Sequence, residues 1–319
     1  MNIAVAQSGG PTCAINASLL GVCRQAMKSP EIDVVYGSVN GIEGVINDNL
    51  VDMGSLLKTE EDMGILKVTP STALGSCRYK LPDPVADTAV YDTILNCFKR
   101  HNIGAFFYIG GNDSMDTVAK LSAFFKERSE DIKVVGIPKT IDNDLPETDH
   151  TPGFGSAAKY LAVTMQEIIR DSSVYSAKSV TIVEIMGRHA GWLTASTCVL
   201  RANNEIAPQL IYLPECGFTA DKFIEDVKKA QAEHKAVVVA VSEGVEMPEA
   251  DGSYQSGAVD VFGHKYLSGI GKLLENLVRD RIGCKVRSIE LNVMQRCSSH
   301  LCSKTDIDEA EAIGSAGVK

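Results

Sequence analysis

The chain has 319 residues, of which 45% are apolar and 23% are charged. This balance excludes a mainly disordered chain, and the length suggests roughly two domains. The formal net charge of −10 and the isoelectric point near 5.2 exclude a basic nucleic-acid-binding surface, so no nucleic-acid partner is expected. Any phosphate ligand must be held by a local group of cations and backbone N–H groups.

The N-terminus and the cysteines indicate the cellular compartment of the protein. No run reaches the ~18 apolar residues of a membrane helix. The first residues lack the basic and small-residue segments of a signal peptide. The nine cysteines contain no CxxC pair, a pattern typical of reduced thiols. The sequence therefore predicts a cytoplasmic protein with no membrane partner.

Strand and helix patterns alternate along the chain, usually with glycine turns between them. In the first half, strands are predicted at 3–6, 33–37, 105–109 and 132–137, and helices at 15–27, at 90–98 and from Ser114. In the second half, strands are predicted at 180–185, 210–213 and 236–241, and helices at 161–169, through Trp192 and after a Thr219 cap. Strands that are apolar at every residue suit sheets covered on both faces. The sequence predicts an α/β fold in which mainly parallel sheets are flanked by helices.

A polar stretch divides this pattern into two predicted lobes. Residues 142–152 hold two prolines and lack periodicity, so we place the boundary there. The predicted lobes are 1–150, joined by part of 284–305, and 151–283. The acidic run 306–311 predicts the start of a C-terminal helix within 306–319, where the helix dipole favours negative charge.

The first two candidate phosphate-binding segments follow predicted strands, beyond whose carboxyl ends ligands bind in parallel sheets. Gly9 and Gly10 would let backbone N–H groups approach an anion, but this pair taken alone favours the alternative of a plain tight turn. The segment 110–114 adds an amide and a carboxylate that could hold Mg²⁺. Alternatively, Asp113 or Ser114 caps the following helix.

The segment 138–144 combines a cation, a hydroxyl and two carboxylates. Asp142 and Asp144 are two residues apart, so in an extended stretch their side chains share one face. One could then act as a base and the other as a metal ligand. Because turns also favour Asp and Asn, a plain turn remains an alternative. The alternative for Lys139 is a surface charge.

Two later strand ends carry further candidates. Met186-Gly187-Arg188 places an arginine at a strand-to-helix turn, where it suits bidentate phosphate binding. Glu243 closes the strand at 236–241, and its carboxylate can accept hydrogen bonds from sugar hydroxyls. Other candidate cations are Arg78, Arg287 and Arg296.

These segments together resemble the 6-phosphofructokinase family. In chain order, the matching segments are Gly9-Gly10, 74–78, 110–114, 138–144, 186–188, 242–244 and Gln295-Arg296. The resemblance implies a two-lobed phosphofructokinase-like fold. It also implies a glycolytic enzyme that transfers a phosphoryl group to the 1-hydroxyl of fructose 6-phosphate.

The resemblance also implies a role for each matching residue. Asp142 would be the general base, and Thr140 would contact the transferred group. The donor phosphates would be bound by Gly9, Gly10, Arg78 and Gly111. The sugar phosphate would be bound by Thr140, Ile141, Asp142, Met186, Gly187, Arg188, Glu243, Val293 and Arg296. Mg²⁺ would be bound by Asn112 and Asp144. Arg287 matches an arginine that reaches a neighbouring subunit, which implies a homodimer or homotetramer.

Two positions divide the resembled family by phosphoryl donor. Members that use ATP typically have glycine where Asp113 and Lys139 stand, so this chain resembles the pyrophosphate-dependent branch. By that resemblance, the Asp113 carboxylate occupies the space of an ATP α-phosphate, and Lys139 meets the transferring phosphoryl group. The expected substrates are pyrophosphate and fructose 6-phosphate. The alternatives are an ATP-dependent enzyme and a non-catalytic regulatory subunit.

The chain departs from the family pattern in several places. Asn112, Ser179 and Val293 stand where the family often has aspartate, arginine and histidine, respectively. The family usually continues beyond Gln295-Arg296, so the resemblance implies a shortened C-terminus. The segment 153–158 also matches a dinucleotide-binding pattern, but no strand is predicted before it, which argues against a dehydrogenase.

Overall fold

The structure is a computed structural model that describes residues 1–202, 207–247 and 269–319. The chain forms two compact units. The first comprises Met1–Ile141, Thr151–Ser156 and Arg296–Lys319, and the second comprises Asp142–His150 and Ala157–Gln295. Within the segment 284–305, only the residues from Arg296 onward belong to the first unit. The predicted boundaries of the two lobes stay a prediction.

The first unit contains a five-stranded sheet in the order β3-β2-β1-β4-β5, in which only β3 is antiparallel to its neighbour. Its strands are β1 (Asn2–Gln7), β2 (Val35–Ser38), β3 (Leu50–Asp52), β4 (Ile103–Gly110) and β5 (Lys133–Pro138). Its helices as far as residue 127 are α1 (Ile15–Ala26), α2 (Gly41–Ile46), α3 (Met53–Leu56), α4 (Glu60–Val68), α5 (Thr88–Arg100) and α6 (Asn112–Glu127).

Both faces of this sheet are buried. Ile3 and Val5 pack in the cluster that contains Leu19 of α1, whereas Ala4 and Ala6 pack in a second cluster with α5 and α6. Successive side chains of a strand point to opposite faces, which explains why β1 is apolar at consecutive positions. The predicted α/β arrangement is confirmed.

The second unit contains a four-stranded parallel sheet in the order β7-β8-β6-β9. Its strands are β6 (Ser179–Ile185), β7 (Leu210–Tyr212), β8 (Ala236–Ser242) and β9 (Lys285–Glu290). Its helices are α7 (Phe154–Ser173, whose first turn belongs to the first unit), α8 (Trp192–Ser196), α9 (Val199–Ala202), α10 (Ala220–Glu233) and α11 (Ile270–Arg281). Thr219 caps α10 as predicted, accepting a hydrogen bond from the N–H of Lys222.

The last residues return to the first unit. They form α12 (Met294–Cys297), a short 3-10 helix (Ser299–Leu301) and α13 (Lys304–Val318). Helix α13 packs directly on α1, because a Cβ placed at Gly21 would lie 2.0 Å from the carbonyl oxygen of Glu311. A Cβ at Gly314 would likewise lie 2.1 Å from the carbonyl oxygen of Ser18. Glycines therefore allow the two helix backbones to touch.

The structure contains several elements that the sequence patterns did not reveal. They are the strands β3 and β9, the short helices α2–α4, α9 and α12, and the 12-residue helix α11. Helix α8 begins at Trp192 rather than passing through it. Across the parts of the chain that the structure describes, no helix combines the length and apolar character needed to cross a lipid bilayer.

Candidate functional site

The loop after β1 gathers several candidate residues of the first unit. Gly9 has φ +77°, in the left-handed region that glycine adopts without strain. Its carbonyl oxygen accepts a hydrogen bond from Ser76 Oγ at 2.7 Å, and its N–H donates to the carbonyl of Cys77 at 3.5 Å. These bonds bring the loop that carries the exposed Arg78 against the glycine pair.

Lys139 is buried against this glycine pair. It follows β5, is only 5% exposed, and its Nζ donates a hydrogen bond to the carbonyl oxygen of Gly10. A Cβ at Gly9 would lie 3.3 Å from the same Nζ. The surface-charge alternative for Lys139 is therefore wrong.

Arg296 brings a second cation to the same place. A Cβ at Gly10 would lie 2.8 Å from Nη1 of Arg296, so only a residue without a side chain lets the guanidinium approach this closely. An ammonium and a guanidinium beside the backbone N–H of Gly10 can neutralise a phosphate. The first unit therefore brings together Gly9, Gly10, Lys139 and Arg296.

The end of β4 lies next to Lys139. The backbone N–H of Lys139 donates to the carbonyl oxygen of Gly110 at 3.0 Å. Gly111 is the N-cap of α6, so the proposed caps Asp113 and Ser114 are wrong. Instead, Asn112 and Asp113 are exposed in the first turn of α6, where the N-terminus of the helix favours anions.

Thr140 is held by the segment that returns to the first unit. Its N–H donates to the carbonyl of Pro152 at 3.0 Å, and its own carbonyl accepts from Thr151 Oγ1 at 2.8 Å. Asp306, 3% exposed, fixes the same segment by accepting from the N–H of Gly153 at 2.9 Å. The carboxylate of Asp306 therefore has two roles, because it favours the start of its own helix and also holds the segment that contains Gly153.

The loop at 141–150 is not extended, which corrects one prediction. Asn143 has φ +56°, a left-handed conformation, between Asp142 and Asp144. Side chains alternate regularly only in extended backbone, so the argument that both carboxylates share one face is wrong. Asn143 Nδ2 donates to the carbonyl of Asp149 at 3.2 Å, which closes the loop.

In the second unit, the ends of β6 and β8 meet closely. A Cβ at Gly244 would lie 1.9 Å from the carbonyl oxygen of Arg188. The Gly187 N–H donates to Glu243 Oε1 at 3.4 Å, and the Met186 N–H donates to Gln295 Oε1 at 3.1 Å. The structure thus brings the predicted residues 186–188 and Glu243 together, with Gln295 as a support.

Asp142 lies close enough to Glu243 to affect its protonation. Burial raises the pKa of Glu243 to about 7, against the hydrogen bond from Gly187, and the negative charges of Asp142 and Glu184 add to the increase. Near neutral pH, Glu243 can therefore either donate or accept a hydrogen bond.

The raised pKa of Glu243 gives a prediction about stability. A carboxyl whose pKa rises from 4.5 to about 7 on folding stabilises the protein fully below pH 4.5, and this stabilisation is lost as the pH rises through 7. Glu243→Gln removes the titration. Its free energy of unfolding relative to the wild type should therefore increase by on the order of 3 kcal/mol between pH 4.5 and 8 in urea titrations. The exposed Glu246→Gln variant is the control, and parallel pH curves for wild type and Glu243→Gln would contradict the prediction.

Two further predicted residues belong to the second unit. Arg287 is on the edge strand β9, 3.7 Å from an Asp171 oxygen, and it lines a groove of about 250 Å³ beside α7. Val293 is exposed on the segment before α12.

The sequence did not indicate the supporting contacts of Glu215 and Asp306. Glu215 accepts a hydrogen bond from the N–H of Gly191 at 2.7 Å, behind the 186–188 turn, and Asp306 supports the segment beside Thr140. Acidic residues in a loop or a first helical turn are common, so no local pattern distinguished them.

Comparisons with known proteins identify the family of this chain. The phosphofructokinase family model matches residues 2–315. A pyrophosphate–fructose 6-phosphate 1-phosphotransferase of Methylococcus capsulatus is 40% identical over all of this chain and 76% of its own length. Crystal structures of pyrophosphate-dependent phosphofructokinases from Nitrosospira multiformis and Marinobacter aquaeolei both align with a TM-score of 0.85. They are 35% and 38% identical, and each alignment covers 99% of this chain and 75% or 74% of the other. The chain belongs to the phosphofructokinase family.

Proposed function

We propose that this chain transfers a phosphoryl group reversibly from pyrophosphate to the 1-hydroxyl of fructose 6-phosphate. The products are fructose 1,6-bisphosphate and phosphate, as in a glycolytic phosphotransferase. The observation that carries the proposal is the buried Lys139 ammonium against the glycine pair, with Asp113 in the first turn of α6. The names of the relatives at 37–40% identity support the same reaction.

The donor is bound, in this proposal, by the glycine-rich ends of β1 and β4. The N–H groups of Gly10 and Gly111 and the Arg78 guanidinium contact its phosphates, and Gly9 shapes the turn that presents Gly10. Lys139 faces the phosphoryl group that moves and the phosphate that leaves. Phosphoryl transfer requires mainly alignment and neutralisation of charge, and buried cations beside backbone N–H groups supply both.

The acceptor is bound mainly by the second unit. Glu243 accepts hydrogen bonds from sugar hydroxyls, beside residues 186–188, while Ile141 and Val293 line the sugar. Arg296 binds the 6-phosphate. Because Arg296 also lies against Gly10, its guanidinium, with five donors, is suited to face anions on two sides.

Asp142 is the proposed general base. It takes the proton from the 1-hydroxyl as that oxygen bonds to phosphorus, while the bond from phosphorus to the leaving phosphate breaks. Thr140, held through its backbone by Pro152 and Thr151, contacts the transferred group. The charge of Asp142 acts on Glu243, so the proposed base lies close to a residue that is proposed to bind the sugar.

Mg²⁺ is the proposed cofactor, with Asn112 and Asp144 as its protein ligands. Both residues are exposed and offer only oxygen, the donor type that Mg²⁺ prefers, and Mg²⁺ usually needs few protein ligands when phosphates complete its shell. When bound, the ion would neutralise charge on the phosphates.

A homodimer or homotetramer is proposed from the position of Arg287. Its side chain is 44% exposed on the edge strand β9, where a neighbouring copy could receive it.

The nine free cysteines support a reducing, cytoplasmic location.

Initial rates with two donors test the proposed reaction. With fructose 6-phosphate and Mg²⁺ present, kcat/KM for pyrophosphate should exceed that for ATP by at least about tenfold. Equal or faster transfer from ATP would instead show an ATP-dependent phosphofructokinase. Binding of fructose 6-phosphate without turnover from either donor would show a non-catalytic regulatory subunit.

A further inference from the structure

A cluster of three side chains of types that can bind metal ions lies beside the C-terminus of α5. Cys97 is on the last turn of α5, His101 is the C-cap of that helix, and Asp48 lies just after α2. Their ligand atoms all lie within 4.8 Å of one another. None of them takes part in the proposed phosphoryl transfer.

The backbone directs all three side chains to one point. Cys97 and His101 are four residues apart, so they share one face of the helix. Asp48 has φ +55°, a left-handed conformation that aspartate tolerates better than most residues. The His101 ring is also fixed by the edge of Tyr36, with 5.3 Å between the ring centroids.

The distances are close to those of a tetrahedral zinc ion. Asp48 Oδ1 lies 2.6 Å from His101 Nε2 and 3.5 Å from Cys97 Sγ. Zinc bonds of 2.0–2.3 Å place tetrahedral ligand atoms roughly 3.3–3.8 Å apart. The sulfur–oxygen distance already fits, and the nitrogen–oxygen distance must open by only about 1 Å.

We propose that Asp48 Oδ1, Cys97 Sγ and His101 Nε2 bind a zinc ion. One sulfur, one nitrogen and one oxygen ligand suit zinc better than Mg²⁺ or Ca²⁺, which prefer oxygen. Water fills the fourth position. Without metal, His101 Nε2–H donates to Asp48 Oδ1. When the ion binds, the ring changes tautomer, so that Nδ1 carries the proton and the Nε2 lone pair binds the metal.

The surrounding charges fit this assignment. The Asp48 carboxylate and the Cys97 thiolate bring two negative charges to the ion. Arg100 pairs with Asp48 through the other carboxylate oxygen, Oδ2, so this ion pair persists when Oδ1 binds zinc. The carbonyl groups at the C-terminus of α5 add a partial negative charge.

Cys97 must release one proton when the ion binds. The side chain is 3% exposed, and burial together with the neighbouring Asp48 raises the pKa of Cys97 to about 12. The thiol is therefore protonated without metal, and its proton passes to solvent as the sulfur–zinc bond forms.

The position of the cluster indicates a structural role. His101 lies just before β4, whereas Gly110 ends that strand, a separation of about 25 Å at 3.3 Å per residue. Zinc at this position would join the C-terminus of α5 to the segment after α2. We therefore expect the ion to stabilise the first unit without contacting the phosphoryl group.

Cobalt binding to the full-length chain tests the site. After treatment with a chelator, the wild type should bind one Co²⁺ per chain, with a sulfur-to-metal charge-transfer band that Zn²⁺ abolishes. Cys97→Ser should lose this band, and His101→Gln and Asp48→Asn should each weaken cobalt binding at least about 100-fold. Zn²⁺ should raise the Tm of the wild type but not that of Cys97→Ser.

The matched control removes the two exposed thiols. Cys198→Ser/Cys216→Ser should keep the band, since neither cysteine belongs to the cluster. The proposal is overturned if the wild type shows no band, if Cys97→Ser keeps it, or if the control loses it. Should Cys97→Ser prove unfolded by circular dichroism, His101→Gln and Asp48→Asn decide, and unchanged cobalt affinity in both overturns the site.

Discussion

Replacement of Asp142 by serine is expected to lower kcat by about 10²–10⁴-fold, the usual contribution of a general base. The carboxylate acts on the proton of the 1-hydroxyl only while the oxygen–phosphorus bond forms. Binding of fructose 6-phosphate should therefore change little, and kcat and kcat/KM should fall together. Steady-state kinetics and calorimetric titration with fructose 6-phosphate measure the two quantities.

The same loop supplies a control for this variant. Asp149→Asn removes another carboxylate from 142–150, and that side chain is exposed. Its kcat should stay within about twofold of the wild type, because surface substitutions usually have small effects. Full turnover in Asp142→Ser, with unfolding curves like those of the wild type, would rule out Asp142 as the base.

The fold was predictable because its strands are buried on both faces. The core strands β1, β4, β6 and β8 appeared in the sequence as short apolar runs. Where a glycine-rich turn follows such a run, the turn also indicated the end of the strand. The antiparallel strand β3 has only three residues, and the edge strand β9 mixes charged with apolar residues, so neither produces a clear pattern.

The candidate site was predictable as a set of strand ends but not in its contacts. The contact of Lys139 with Gly10 depends on the pairing of β1 with β4 and of β4 with β5, and Arg296 is far from Gly10 in sequence. Gly111 rather than Asp113 caps α6, which local preferences for caps do not predict. The left-handed conformation of Asn143 also explains why the side chains of Asp142 and Asp144 were wrongly predicted to share one face. Asparagine indicates a turn but does not give its direction.

Replacement of Asp113 and Lys139 together by glycine is expected to change the preferred donor. Two negative charges about 4 Å apart repel by about 4 kcal/mol at an effective dielectric constant of about 20, which is roughly a thousandfold in binding. Because Asp113 is exposed and water screens its charge, about 4 kcal/mol is an upper limit for this repulsion. The ratio of kcat/KM for ATP to kcat/KM for pyrophosphate should therefore rise by up to about 10³-fold.

The two single variants separate the two effects. Asp113→Gly should mainly increase the use of ATP, because it removes the repulsion, whereas Lys139→Gly should mainly reduce the use of pyrophosphate, because it removes the buried ammonium beside Gly10. Asp116→Ala, which removes an exposed carboxylate one turn further along α6, is the control and should leave the ratio unchanged. If ATP binding stayed unmeasurable in the folded double variant, exclusion of the nucleotide would have to come from another part of the chain. Asp113 would then be no more than a favourable charge in the first turn of α6.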